Sequence, residues 1–456
     1  MLKRTFPLAL LFSTAAIYAQ QSPGLTITQV VQSAVRLYPS IRVTQEQMNA
    51  AAAGVRLAQT AYLPRVDTMA QINRATRNTF YGLLLPQSLI PGVDGVHADN
   101  FGSVWDSGVG ILVTWQPFDF GLRAANVAFA AAGHEQAQAT VNRTQFDVSV
   151  AAADVFLTMV AAQQTAEAAR AALESWQTVQ KSTQALVSAQ LRPGADESRI
   201  EAEIALARTQ VAQAEQAIAV GQAALAPFAG IAPSQINLTA GKLVTDLPAE
   251  VPEPPLQGSA HPVALEQNAA VSRLKSQLTT LEKTYYPQFT VQGVAAARGT
   301  GMLTDGGRLG GLNGLAPSTP NYGLGLTVTF PVTDRFALRE QEAVQSATIR
   351  ASEAQYSLIT TQMQAQFDTA LATLAGARRV AANTPAEVSS ARVVLQQATA
   401  RYQSGLAPID DLAQAERLLV QAQIDDALAR LSVWRAKLQV ETARGDIQPF
   451  LAAASQ

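Results

Sequence analysis

The stretch VTWQPFDFGLRAANVAFAAA, residues 113–132, begins as a strand and ends as a helix. Val113, Trp115 and Phe118 suit a pleated strand, Pro117 and Gly121 interrupt it, and the alanines that follow favour helix. No proline recurs until after residue 190, so the helix over 122–190 would extend about 100 Å at 1.5 Å per residue. An ordinary globular core is not that deep. The reading that decides the fold is therefore a strand welded to a rod.

Upstream, SVWDSGVGILVTW (103–115) places Trp105, Val109, Ile111, Val113 and Trp115 on one face, with Asp106, Gly108, Gly110 and Thr114 on the other. NYGLGLTVTF (321–330) repeats the device, with Tyr322, Leu324, Leu326, Val328 and Phe330 opposite Gly323, Gly325, Thr327 and Thr329. Taken alone, such strands fit a half-buried sandwich or a membrane barrel whose apolar face meets lipid. Four strands do not close a barrel, so the barrel reading requires several subunits.

The chain is written twice. LYPSIRVTQEQMNAAAAGVRLAQTAYLPRV (37–66) returns as AHPVALEQNAAVSRLKSQLTTLEKTYYPQF (260–289), with Pro39 answering Pro262 and Pro64 answering Pro287. VTWQPFD (113–119) returns as VTFPVTD (328–334), and Gly194 in LRPGADE as Gly405 in YQSGLAPIDD. Order and spacing are kept, which predicts a tandem duplication: a first repeat over 20–245 and a second over 246–456, each of helix, two strands and a long helical hairpin. The proline-rich segment 247–262 reads as the extended connection.

The helices carry a period of seven. Ile204, Val211, Ile218 and Leu225 fall seven apart, each of the first three followed by Ala207, Ala214 or Gly221; Val127, Val141, Val148 and Val155 share the spacing. Ala415, Ala422, Ala429, Ala436 and Ala443 form an unbroken series beside Leu412, Leu419, Val433 and Val440. These are coiled-coil seams with left-handed winding. Small seam residues contribute little area, each buried CH₂ being worth ~0.8 kcal/mol, so one hairpin alone would be marginal. Pro385 predicts a kink or break in the second long helix, over 336–404.

Composition narrows the class. Hydrophobic residues make up 48%, aromatics only 6% and charged residues 15%, a helix-prone chain short of bulky core formers. Lys3 and Arg4, an apolar run over 6–17 and Ala19 before Gln20 read as a signal peptide over 1–19. Its loss takes the formal charge of −2 two units further negative, which argues against a nucleic-acid partner. Zero cysteines exclude disulfides, thiolate metal sites and a lipidated N-terminal cysteine. Past the leader there is no charge-free apolar run of 18 residues, which leaves a closed β-barrel as the way across a bilayer.

A twice-written (His/Tyr)-Pro helix closed by a second proline, the run PFDFGLR and the turn RYQSGLAPIDDLAQAE (401–416) resemble the TolC-like family of bacterial outer-membrane efflux proteins, across essentially the whole mature chain. The resemblance implies a mostly α fold with a small β part: long coiled-coil hairpins forming a periplasmic α-barrel, plus four strands per subunit in a shared trimeric transmembrane β-barrel. It implies an exit channel of a tripartite efflux or type I secretion system, set in the lipid of the outer membrane and extending into the periplasm. The partners implied are two further copies, a periplasmic adaptor (membrane fusion) protein and an inner-membrane transporter, with no enzyme activity or cofactor. Carried onto this chain, Gly194, Gly405 and Leu406 stand at the periplasmic tips that meet the adaptor. Tyr402 and Asp411 stand where the family has tip residues linked to closure, and Arg401, Asp410, Arg192, Asp196 and Glu197 are neighbouring charges available for ties. Gln414 stands where some members carry an acidic residue in the pore ring. Asp196 and Asp411 would also serve as helix-start residues in any fold.

No catalytic constellation competes with this. His97, His134 and His261 are scattered without metal-ligand spacing, and TDGGRLGGLNG (304–314) lacks the Lys-Ser/Thr of a phosphate loop and lies between strands. With LLLPQSLIPGVDGVHADN (83–100) it reads as an outer loop between barrel strands. A periplasmic coiled-coil adaptor or scaffold without a membrane barrel remains the alternative; it would lack the paired aromatic-ended strands.

Overall fold

A computed structural model describes residues 24–76, 103–190, 194–250, 252, 254–301, 303 and 307–455. The leader over 1–19, Arg192 and the loop 83–100 lie outside the described residues. The elements follow as α1 (Ile27–Leu37), α2 (Pro39–Thr60), β1 (Arg65–Thr76), β2 (Ser103–Phe118), α3 (Leu122–Ser188), α4 (Gly194–Ala229) and α5 (Lys242–Thr245). Then come α6 (Pro262–Thr284), β3 (Gln288–Thr300), β4 (Thr319–Thr329), α7 (Asp334–Gln403), α8 (Ile409–Arg444) and α9 (Gln448–Ser455). Residues divide into two compact units, one of Pro39–Gln145 with Gln257–Ala365, the other of the remaining three stretches.

The first unit holds the sheet. Its order is β1-β2-β3-β4, every pair antiparallel, so among the described residues β1 and β4 are its edges. In β2 the side chains of Val109, Ile111, Val113 and Trp115 are exposed while Gly108 and Gly110 are buried, the alternation expected from sequence. In β4, Tyr322 is 92% and Leu324 83% exposed, an apolar face left open among the described residues. The β2–β3 ladder slips between Trp115 and Phe118, around Pro117, which has no N–H to give it. Residues 307–318 connect β3 to β4, with Leu309 N–H donating to Gly301 O and Ser318 N–H to Arg298 O.

The strand-to-helix join is built from few residues. Asp119 accepts from Gly121 N–H at 3.1 Å, Arg123 N–H at 2.8 Å and Arg123 Nε–H at 2.7 Å, which caps the start of α3. Both side chains of the pair are more than nine-tenths buried, and the guanidinium lies 4.8 Å over the Tyr62 ring. Gly121 takes φ +90°, open to glycine alone without strain, and Phe120 takes φ +53°. Phe120 is held there by rings: Phe118 at 4.5 Å, Tyr286 at 5.5 Å and Phe289 at 6.2 Å. Trp115 Nε1 donates to Tyr62 O, fastening the end of α2 beside the strand. Along α3, Arg143 pairs with Glu266 of α6 at 2.7 Å and Thr140 donates to the same carboxylate.

The second unit is helical. The seams expected from the heptads are its core: Leu412, Ala415, Ala422, Ala429, Val433, Ala436, Val440 and Ala443 of α8 are buried, as are Ile204, Ala207, Ala214, Gly221 and Leu225 of α4. Phe367, Ala370, Leu374 and Ala381 of α7 pack on the α8 series. Alanines at this density let helix axes approach and leave the large contacts to a few residues, Phe156, Trp176 and Trp434 among them. By length and composition alone the Leu122–Ala185 stretch passes as a membrane-crossing helix, yet its apolar residues Val148, Ala152, Phe156 and Val160 are buried on neighbouring chain, as seam residues are.

Two expectations meet detail. Of the kink or break expected at Pro385, the break does not occur: α7 runs through it as one helix. The hydroxyl of Thr384 lies 3.5 Å from Ala381 O, the carbonyl that the missing N–H leaves open, and donates to Asp426 of α8 at 2.7 Å, which ties the spot to the neighbouring helix. His261 and Tyr38, which precede the matched prolines, are both corners. His261 Nδ1 accepts from Val263 N–H at the start of α6, and Tyr38 stacks on Phe228 at 4.7 Å at the end of α1.

Burial alone would raise the Asp119 carboxyl, but the bonds from the Arg123 side chain and backbone and from Gly121 outweigh it and hold the acid below the usual carboxylate range. A lowered acid contributes stability above its ordinary range and loses it as the pH falls through its depressed value. Asp119→Asn, which mimics the protonated acid, should therefore lower the thermal unfolding midpoint of the detergent-solubilised protein at neutral pH, with wild type converging on the variant in acid. Arg123→Ala should cost more, about 3 kcal/mol, by leaving a buried carboxylate without its cation. A gap between wild type and Asp119→Asn that stays constant with pH would remove the carboxylate from the account.

Candidate functional site

The tips of the two hairpins, where α3 gives way to α4 and α7 to α8, gather the charged and hydroxylated residues singled out from sequence. The second tip is the better formed. Gly405 takes φ +79°, a left-handed turn that glycine alone adopts freely, and Leu406 N–H closes back on Arg401 O at 2.8 Å. Leu406 is the exposed apex. At the first tip Gly194 opens α4 and is exposed.

Tyr402, in the last turn of α7, is buried, its hydroxyl 3.1 Å from Thr183 Oγ1 of α3 and donating to Asp196 Oδ2 of α4 at 3.3 Å. One phenol thus ties the second hairpin to both helices of the first. Around it Trp176, Ile200, Ile204, Ile409 and Leu412 form an apolar cluster. Beside this tie Arg199 of α4 lies 3.2 Å from Asp410 of α8 and 3.4 Å from Glu203. Arg417 of α8 pairs with the same Glu203 carboxylate. Glu203 is buried while both arginines are about half exposed, so the arrangement is a buried anion held between two cations that reach in from water.

Of the residues chosen from sequence, the structure therefore brings Tyr402, Asp196 and Asp410 into ties between the hairpins. Arg401 and Asp411 stand apart from that network, on a second recess of about 470 Å³ shared with Gln414, Val394 and Leu418. Among the described residues neither forms an ion pair. Glu197 is half-buried in the first turn of α4, where an acid complements the helix dipole. Arg192 lies outside the described residues.

Sequence reading missed Arg199, Glu203 and Arg417. The signal was present in part: Arg199 and Glu203 are four apart on one helix, and Glu203 adjoins the seam residue Ile204. It missed Glu416 too, a carboxylic acid buried next to seam residue Ala415. Burial pushes the Glu416 carboxyl up from its ordinary value, and a hydrogen bond with Ser175 only partly offsets that.

The comparisons agree with this architecture. The family model described as outer membrane efflux protein matches residues 30–230 and 261–446. Among solved structures the chain is similar to the outer membrane protein VceC from Vibrio cholerae, at 18% identity over 92% of this chain and 96% of that one, TM-score 0.70. It is similar to the open-state MtrE channel of Neisseria gonorrhoeae, at 16% identity over 92% and 89%, TM-score 0.72. The CmeC channel of Campylobacter jejuni matches at 14% identity over 94% and 89%, TM-score 0.70. At these identities the likeness is one of fold. A sequence search of curated proteins gives no match. The matched family model, spanning both hairpins and all four strands, places this chain in the outer membrane efflux protein family: it is an outer-membrane exit channel that extends into the periplasm.

Proposed function

We propose that three copies of the chain close a common duct, that an inner-membrane transporter and a periplasmic adaptor deliver cargo to it, and that the hairpin tips open and shut it. The observation that carries the trimer is the four-stranded sheet with two open edges: unpaired backbone groups are not tolerated in hydrocarbon, and three copies would supply twelve strands. The exposed apolar faces of β2 and β4 also speak against a periplasmic adaptor, which would have no use for them. We further read the chain as a tandem duplication over 20–245 and 246–456 behind a cleaved leader.

At the tip, Tyr402 and Arg199 are the latch. The Tyr402 hydroxyl bridges Thr183 and Asp196, and Arg199 spans from Glu203 to Asp410. Of these contacts the Arg199–Asp410 pair is exposed at both ends and worth about 0–1 kcal/mol, weak enough for a docking partner to undo, while the Tyr402 hydrogen bonds keep the closed arrangement in register. Glu197 adds an acid in the first turn of α4, Arg401 and Asp411 charge a neighbouring recess, and Gly194, Gly405 and Leu406 form the adaptor-facing apex.

Purified protein should conduct ions in planar bilayers, and Tyr402→Phe with Arg199→Ala should raise the conductance several-fold without altering the amount of oligomer. Unchanged conductance in the double variant would sink the latch. In cells the protein should fractionate with the outer membrane and run as a heat-sensitive oligomer; a soluble periplasmic monomer would sink the trimeric channel itself.

A further inference from the structure

Next to the Glu203 cluster, α3, α4 and α8 leave a cavity of about 470 Å³. Trp176 and Ala172 from α3, Leu206 and Ala217 from α4, and Val420 and Ile424 from α8 form its apolar wall, while Gln210, Gln213 and Gln421 line its exposed rim. Two carboxyl groups, Glu203 and Glu416, line it, and each residue is at least nine-tenths buried.

The charges do not balance evenly. Arg417 answers Glu203 and Arg199 answers Asp410, while α3 brings no charged side chain to the lining. Glu416 has a hydrogen bond with Ser175 and, among the described residues, no ion pair. A buried carboxyl on the wall of a recess, held by one hydrogen bond and without a cation beside it among the described residues, has room for a positive charge to join it. We propose that this cavity is a binding site for a small organic cation with an apolar body, an amine or quaternary ammonium whose charge meets Glu416 and whose body lies against Trp176.

The chemistry of the lining selects that class. An anion would meet two carboxyl groups, and the one arginine on the wall is already engaged. A neutral apolar molecule would leave Glu416 as it is. A cation supplies the missing partner, gains the face of an aromatic ring and excludes water from a volume within the range of small-molecule sites. Binding then requires Glu416 ionised, so it releases a proton wherever the acid was protonated beforehand.

The test uses benzyltrimethylammonium and full-length detergent-solubilised protein, read by titration calorimetry in buffers of different ionisation heat. Wild type should bind about one cation per chain, more tightly as the pH rises, with release of a proton wherever Glu416 starts protonated. Glu416→Gln copies the protonated acid in shape and so keeps the packing; it should weaken binding about tenfold or more and make it insensitive to pH. Ala217→Leu, at an exposed position on the cavity wall, should block binding by volume with Glu416 untouched. Absence of saturable binding, or binding that both variants leave unchanged, would overturn the proposal.

Discussion

The fold turns on two strand edges, β1 and β4, that meet no further strand among the described residues. The sheet has four strands and two edges, and its outward faces carry Val109, Ile111, Tyr322 and Leu324 where a soluble sheet would carry charge. In lipid an N–H without a partner costs several kcal/mol, so such a sheet is complete only as part of a closed barrel. A single chain cannot close one, and the requirement for neighbours passes down every strand into the helix that follows it.

The join transmits that requirement. Asp119 and Arg123 fix the first turn of α3 to the end of β2, and the Phe118, Phe120, Tyr286 and Phe289 rings lock a left-handed residue between them. Further along, the helices meet through alanine. An alanine seam brings axes close but buries little, so the helical region draws its cohesion from many shallow contacts and from scattered large residues. At the tips the apolar seam gives way to hydrogen bonds and ion pairs. Such contacts are individually weak.

Much of this was legible from sequence because it rests on periodicity. Alternation at 103–115, the alanine heptads and the matched prolines are local patterns, and each maps onto a strand face, a seam or a helix start. What escaped is what depends on two segments far apart in the chain meeting in space. Glu203 looks like any surface glutamate until α8 brings Arg417 to it, and Tyr402 gains meaning only when Thr183 and Asp196 arrive from the other hairpin. At Pro385 the break half of the expectation failed for the same reason. Its local rule predicts a break, while Thr384 and Asp426 of the neighbouring helix hold the segment in place. Arg401 and Asp411, chosen from sequence as tip charges, face a separate recess because helix phase places them away from Tyr402 and Asp410.

The chain has no cysteine, so engineered ones report without background. The most direct measurement is a scan of cysteine pairs, one in β1 and one in β4, oxidised in the native outer membrane and analysed on denaturing gels. Edges that meet between copies should yield, at matching positions, covalent dimers and trimers and no larger species. Monomers alone at every pairing would contradict the shared barrel.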